Sequence, residues 1–487
     1  MKRAVALLAA CALTACSLEP NYARPEPPVP PSWPAGDAYL RQSEAALPSV
    51  SYRDIFRDPK LQALVEQALV NNRDLRIAAA NIASARAQYR IQRAQLFPRI
   101  DAGASVSVGD RGGGASTAGT GSSGNGVDAT YSLDVGTTGY EIDLFGRVRS
   151  LSHAAQLQYF ATEAAARATR LALVGEVATN YFTYAADRSR LTIARETEAN
   201  ALRSVQLTGA RVSGGIAART DLRQAETVLD QARSDIASLT TAVAQDKNAL
   251  DLLVGAAVDP ALLPDSIEGI DGLVSELPAG LSSEVLLRRP DVVQAEYQLR
   301  AANAQIGAAR AAFFPRISLT AIAGLASTAL GSLFTGGAFS WAVQPGATLP
   351  IFDGGANRGN LALARAQHEL YLARYEQTIQ TAFREVADAL ARRGTIGAQY
   401  AAQSHLVAAA SDNYALADAR YRAGIDNYLS SLDAQRTLYS ARGSLVATRL
   451  IRATNLVDLY RALGGDALIE GPLDAPPAAA GADRAPG

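Results

Sequence analysis

Cysteine, methionine and histidine are scarce in this 487-residue chain, which holds two, one and three of them. Both cysteines, Cys11 and Cys16, fall near the start, and the methionine is the initiator. A disulfide framework is excluded, and soft-metal ligation lacks the thiolates and thioethers it uses. His153, His368 and His405 lie far apart without ligand spacing, and each is expected on a helix surface. Charge of one sign is also missing: 46 basic against 47 acidic residues give a net charge of −1. Nucleic acid is therefore not an expected partner. No nucleophile–base set stands out, so no enzyme activity, metal or cofactor is expected. Gly119-Thr120-Gly121-Ser122-Ser123-Gly124 matches a dinucleotide fingerprint. It sits in a Gly/Ser loop with no helix opening behind it, which makes it an accident of composition.

Proline is absent from two long tracts, between Pro98 and Pro260 and from Ile351 to Glu470. Both are rich in Ala, Leu, Arg, Gln, Glu and Thr. In the first, Leu171, Val174, Ala178, Tyr181 and Ala185 step by three and four, a coiled-coil-like seam. One helix from Ser150 to Arg211 would be roughly 90 Å long at 1.5 Å per residue, longer than a globular domain. Gly214-Gly215 breaks this tract, and a returning helix is expected from Thr220 to about Val254. Gly424 breaks the second tract in the same way, and Ala434 and Leu438 echo Ala225 and Leu229.

The chain also repeats itself at Phe97-Pro98-Arg99-Ile100 and Phe314-Pro315-Arg316-Ile317. Helix-period sequence precedes each copy, from Pro59 to Leu96 in the first case, and strict alternation follows. Proline disfavours the α region before it and cannot continue a helix, so Pro98 and Pro315 read as helix–strand joints. After the first joint, Ile100, Ala102, Ala104, Val106 and Val108 alternate with small or polar residues. Tyr131, Leu133 and Val135 continue the pattern, and its phase shifts between Gly136 and Gly139 as a bulge would make it. After the second joint the alternation runs from Ile317 to Leu325 and, across a Gly-rich turn, resumes from Phe339 to Ile351; Pro345 departs from it and is expected at a bulge or at the strand's exit.

Helix, β-hairpin, long helix, glycine break and returning helix thus occur twice, an internal duplication. The expected divisions are 1–15, a signal peptide; 16–60, a proline-rich segment; 61–254, a first repeat with its hairpin at about 100–143; 255–290, a connector; 291–465, a second repeat with its hairpin at about 317–352; and 466–487, a disordered tail. The uncharged stretch from Ile317 to Phe352 invites a transmembrane-helix reading, but alternation and central glycines favour a hairpin with one lipid face. In hydrocarbon every backbone polar group needs an internal partner, so a spanning sheet must close. Two hairpins give four strands, while the smallest membrane barrels need about eight. Several chains must then share one barrel. A soluble sandwich hairpin is the commoner source of such alternation, and the duplication and the long helices weigh against it here.

Lys2 and Arg3 followed by the apolar run Ala4–Leu13 look like a signal peptide. Leu13-Thr14-Ala15-Cys16 resembles a lipobox, so Cys16 is the expected lipidation site, and Ser17 after it favours the outer membrane by resemblance to Gram-negative lipoproteins. Taken with the paired Phe-Pro-Arg-Ile, further motifs carry a wider resemblance: Tyr140-Glu141-Ile142-Asp143-Leu144-Phe145-Gly146-Arg147, Arg288-Arg289-Pro290-Asp291, Leu349-Pro350-Ile351-Phe352-Asp353-Gly354-Gly355 and Tyr421-Arg422-Ala423-Gly424-Ile425-Asp426-Asn427-Tyr428-Leu429. Over about residues 16 to 465 the chain resembles the outer-membrane factor family, the TolC- and OprM-like exit ducts, in its lipoprotein branch.

The resemblance implies a mixed α and β membrane protein. Three chains would share a twelve-stranded outer-membrane barrel continued by a twelve-helix periplasmic tunnel. Partners would be a periplasmic adaptor and an inner-membrane RND-type pump, and the cargo small toxic compounds. Gly214, Gly215 and Gly424 would be tip turns. In the periplasmic gate, Asp433 would form a three-fold acidic ring and Leu429 an apolar constriction. Tyr421, Arg422, Asp426 and Arg436 would hold the helices together. Ser430 stands where some members carry a second acidic residue. The alternatives are a type I protein-secretion duct and a lipid-anchored coiled-coil scaffold without a pore.

Overall fold

The computed structural model describes residues 17–34, 36, 39, 51–110, 127–270 and 283–465. The signal peptide, Cys16, the Gly119–Gly124 fingerprint and the tail lie outside the described residues. After a one-turn helix at Tyr52–Ile55, the order is α1 (Pro59–Asn71), α2 (Arg73–Ala94), β1 (Asp101–Asp110), β2 (Val127–Ile142), α3 (Arg147–Ser213) and α4 (Arg219–Val254). Short 3-10 turns lead to α5 (Pro290–Ala311), β3 (Arg316–Ser327), β4 (Phe339–Thr348), α6 (Ala356–Arg422) and α7 (Tyr428–Ala462). No described helix is long and apolar enough to cross a membrane. The residues group into two compact units.

The first unit holds the strands and the segments next to them. Its four-stranded antiparallel sheet runs in the order β1-β2-β3-β4, so both hairpins join through β2 and β3. Register decides what each face presents. Ala102, Val135, Ala323 and Trp341 form one cross-strand row, and Ala104, Leu133, Leu325 and Phe339 the next. Because side chains alternate between faces, these rows lie on one side. Gly103, Asp134, Gly324 and Ser340 form the intervening row on the other. The apolar side is open: Trp341 is 70% exposed.

β2 slips register between Thr137 and Tyr140, at the phase change in the sequence. Pro345 makes no bulge. It pairs with Leu319 with no break in register, three residues before β4 ends at Thr348. Gly324 has a steric reason to be there. A Cβ on it would come within 2.4 Å of the Leu133 carbonyl oxygen. Gly324→Ala should therefore force β2 and β3 apart, at a cost of about 1–3 kcal/mol, seen as a lower melting temperature.

The joints are built alike. Phe97 N–H donates to Ala94 O at 3.0 Å and Phe314 N–H to Ala311 O at 3.1 Å, one closing turn before each proline. Phe145 stacks on Phe314 with ring centroids 4.7 Å apart. Arg147 donates two hydrogen bonds to Glu141, at 2.8 and 2.6 Å, and the Asp143 carboxylate accepts from Arg149 N–H at the start of α3. The Tyr140–Arg147 motif is thus the device that turns β2 into α3. The N-terminal segment is strapped down in the same unit. Arg24 grips Glu296 bidentately at 3.0 and 2.8 Å, and Asn303 Nδ2 donates to Pro20 O. His153 is more than a surface residue, since it pairs with Glu19 at 3.1 Å.

The second unit is helical. The expected helix from Pro59 to Leu96 is divided at Asn72, whose Oδ1 accepts from the Asp74 and Leu75 N–H groups and caps α2. The Asn72 Nδ2 donates to Leu253 O, tying this break to the end of α4. The main core packs Ile55, Phe56, Leu61 and Leu64 against Val174, Val177, Tyr181 and Phe182 of the α3 seam. Arg289 of the Arg-Arg-Pro-Asp motif is buried. It binds Asp291 and Glu385, each at 2.8 Å, and the Ala462 carbonyl.

Candidate periplasmic gate

The two glycine breaks fold the same way. Ile216 N–H donates back to Arg211 O and Ile425 N–H to Arg420 O, both at 2.9 Å. Such a six-residue closure places one residue in the left-handed region, where glycine carries no Cβ penalty. Gly215 and Gly424 occupy it with φ of +76° and +73°. The turns connect α3 to α4 and α6 to α7, each one a helical hairpin.

Tyr421 links the hairpins. Its ring is buried with Tyr428, Leu432, Ala225 and Leu229 in a small apolar cluster. The Tyr421 hydroxyl hydrogen-bonds to Thr208 of α3 at 2.9 Å. Burial pushes the neighbouring Tyr428 hydroxyl up to about 12, so that ring stays neutral. Arg211, absent from the expected set, completes the link. It donates to the Tyr421 and Arg422 carbonyls at 3.0 and 2.9 Å and lies 4.5 Å from the centroid of the Tyr421 ring.

The other expected residues do different things within one chain. Arg422 pairs through its side chain with Asp418, one turn back on α6, at 2.8 Å. Asp426 binds Arg420 at 2.6 Å and so closes its own turn; this hydrogen bond holds its carboxyl below the usual range. Leu429 is 56% exposed, and Asp433 and Arg436 are exposed. Among the described residues Asp433 has no partner. Arg211 and Arg420 stand at equal distances before Gly215 and Gly424, the signal that would have found them: one repeated arginine locks its own turn, the other crosses to the next hairpin.

No group of three or more His, Cys, Asp or Glu among the described residues is placed to hold a metal ion. The outer membrane efflux protein model matches residues 64–256 and 281–465. The chain belongs to the outer membrane efflux protein family. It is a transport duct of the outer membrane rather than an enzyme, and the pore-free scaffold is set aside. This efflux protein is 46% identical over 455 residues to the toluene efflux pump outer membrane protein TtgC of Pseudomonas putida, covering 93% of each chain. It is 44% identical over 469 residues to the outer membrane protein OprJ of Pseudomonas aeruginosa, covering 94% of this efflux protein and 95% of OprJ. Its fold matches the open state of the Neisseria gonorrhoeae MtrE outer membrane channel with a TM-score of 0.81 and 37% identity, over 93% of this chain and 98% of MtrE.

Proposed function

We propose that this efflux protein works as a homotrimer whose three chains pool their strands into one closed, twelve-stranded barrel, continued by a periplasmic tunnel of helices. The observation that carries the reading is the sheet: among the described residues its outer strands β1 and β4 are each paired on one side only, and one face is apolar across all four strands. Unpaired edges in lipid are costly, and only closure removes them. Covalent lipid on Cys16 would hold the strapped N-terminal segment at the membrane. A periplasmic adaptor and an inner-membrane RND-type pump would supply the energy and load the duct. The names of the relatives point to small apolar toxicants such as toluene as cargo.

At the tip, three copies of Asp433 would face one another around the axis. Three converging carboxylates repel and favour cations. Arg422, Asp426 and Arg436 would then make their helix-holding contacts between chains, with Leu429 narrowing the passage and the turns at Gly214, Gly215 and Gly424 facing the adaptor. The deciding measurement is the native mass of the detergent-extracted protein from outer membranes. About three times the mass of the lipidated chain is expected. A stable monomer cannot close four strands and would overturn the reading.

A further inference from the structure

Helices α3 and α4 carry a pair of carboxyl groups for which the duct reading has no use. Asp187 of α3 is buried at 8% exposure and already accepts from Arg190 Nη1 at 2.7 Å. Asp246 of α4 reaches the Asp187 carboxyl. Its Oδ2 is shut off from solvent and has no hydrogen-bond donor. An ionised carboxylate only accepts, so two of them side by side leave that oxygen unsatisfied and repel each other. One arginine offsets one of the two charges. A proton on Asp246 resolves the rest, because the acid then donates to Asp187.

Among the described residues no donor reaches that oxygen. Among the described residues, Asp187 and Arg190, both on α3, are the charged groups that act on Asp246. Lys247 beside it is committed to Asp251 at 2.8 Å. Glu268 of the connector binds Arg449 of α7 and meets α3 through the Ser189 hydroxyl. The duplication supplies a natural comparison. Asp246 lies as far beyond Gly215 as Asn455 lies beyond Gly424, and Asp187 as far before its glycine as Ile396. Asn455 is buried and donates from Nδ2 to Ala389 O at 2.9 Å. The second repeat thus carries a permanent donor where the first carries an ionisable one.

The geometry points to Asp187 and Asp246 as a proton-sharing pair that joins α3 to α4 while it holds its proton and loosens them once both carboxyls ionise. Burial, and then the neighbouring Asp187, push the Asp246 carboxyl up to about 6 against the pull of Arg190. A free aspartate titrates near about 3.9. Between those values the folded chain holds a proton that the unfolded chain has lost. The pair's contribution is therefore complete below the lower value, falls as pH rises through the window and is gone above the upper one. This follows from the helices alone and does not depend on the trimer.

The test is amide hydrogen exchange in the full-length, detergent-extracted protein, on peptides covering the two aspartates, corrected for the intrinsic pH dependence. Protection in the wild type should fall several-fold between about pH 5 and about pH 7.5. Asp246→Asn should stay protected throughout, since its amide donates to Asp187 at every pH. Asp187→Asn, with the donor placed on the other partner, should flatten the profile too. A wild-type profile that is flat, or that both variants share, would overturn the pair.

Discussion

Replacing Arg211 with alanine should make the duct leak. The guanidinium donates to two carbonyls of the neighbouring hairpin and covers the Tyr421 ring. Charge-assisted hydrogen bonds and a cation–π contact at a half-exposed site are together worth about 2–3 kcal/mol. If they favour the closed tip, losing them raises the open population about thirty- to a hundred-and-fifty-fold. Single-channel recording in planar bilayers should then show more frequent large openings without the other pump components. Arg420→Ala is the matched control. It stands at the same place in the duplicated turn, but its pair with Asp426 is exposed and stays within one turn, so it should change conductance little. Equal behaviour of the two variants would show that the crossing bonds do not hold the tip.

That contrast also marks what the sequence could and could not reveal. The glycine breaks, the Phe-Pro joints and the alternating strands are local signals, each fixed by backbone rules that act within a few residues. They were legible. The slip in β2 was legible too, because a bulge shifts the side-chain phase. Asn72 was not, although its cap is also local: the apolar stripe of α1 runs on past it, and periodicity overrode the cap signal. Pro345 was legible only in part: it makes no bulge, since its register with Leu319 is unbroken, and that register depends on pairing with β3, which no short window contains. Arg211 was missed for a related reason. Its partners are more than two hundred residues away, and nothing in the local sequence separates it from Arg420. The role of Tyr140–Arg147 lies between these cases: the motif stood out, but its bidentate Arg147–Glu141 bond and the Phe145–Phe314 stack needed coordinates.

The face of the sheet gives the second large effect. Val135 stands near the middle of β2, in the row Ala102, Val135, Ala323 and Trp341, and is half exposed. If that face meets lipid, Val135→Lys places an ammonium in hydrocarbon once in every chain. Such a charge costs about 2–4 kcal/mol near the bilayer midplane, and a shared barrel bears that cost in all three chains together. Trimer recovered from outer membranes should fall to a small fraction of the wild-type amount, with unassembled chain in its place. Ser132→Lys is the informative partner. Ser132 is three residues away on the same strand and points to the other face, where it meets Ser105 at 2.6 Å. A lysine there would enter the aqueous lumen, so assembly should persist while conductance changes. The reverse outcome, assembly lost with Ser132→Lys and kept with Val135→Lys, would mean that the sheet presents its apolar rows to something other than lipid. The barrel reading would then fail even if the trimer itself survived.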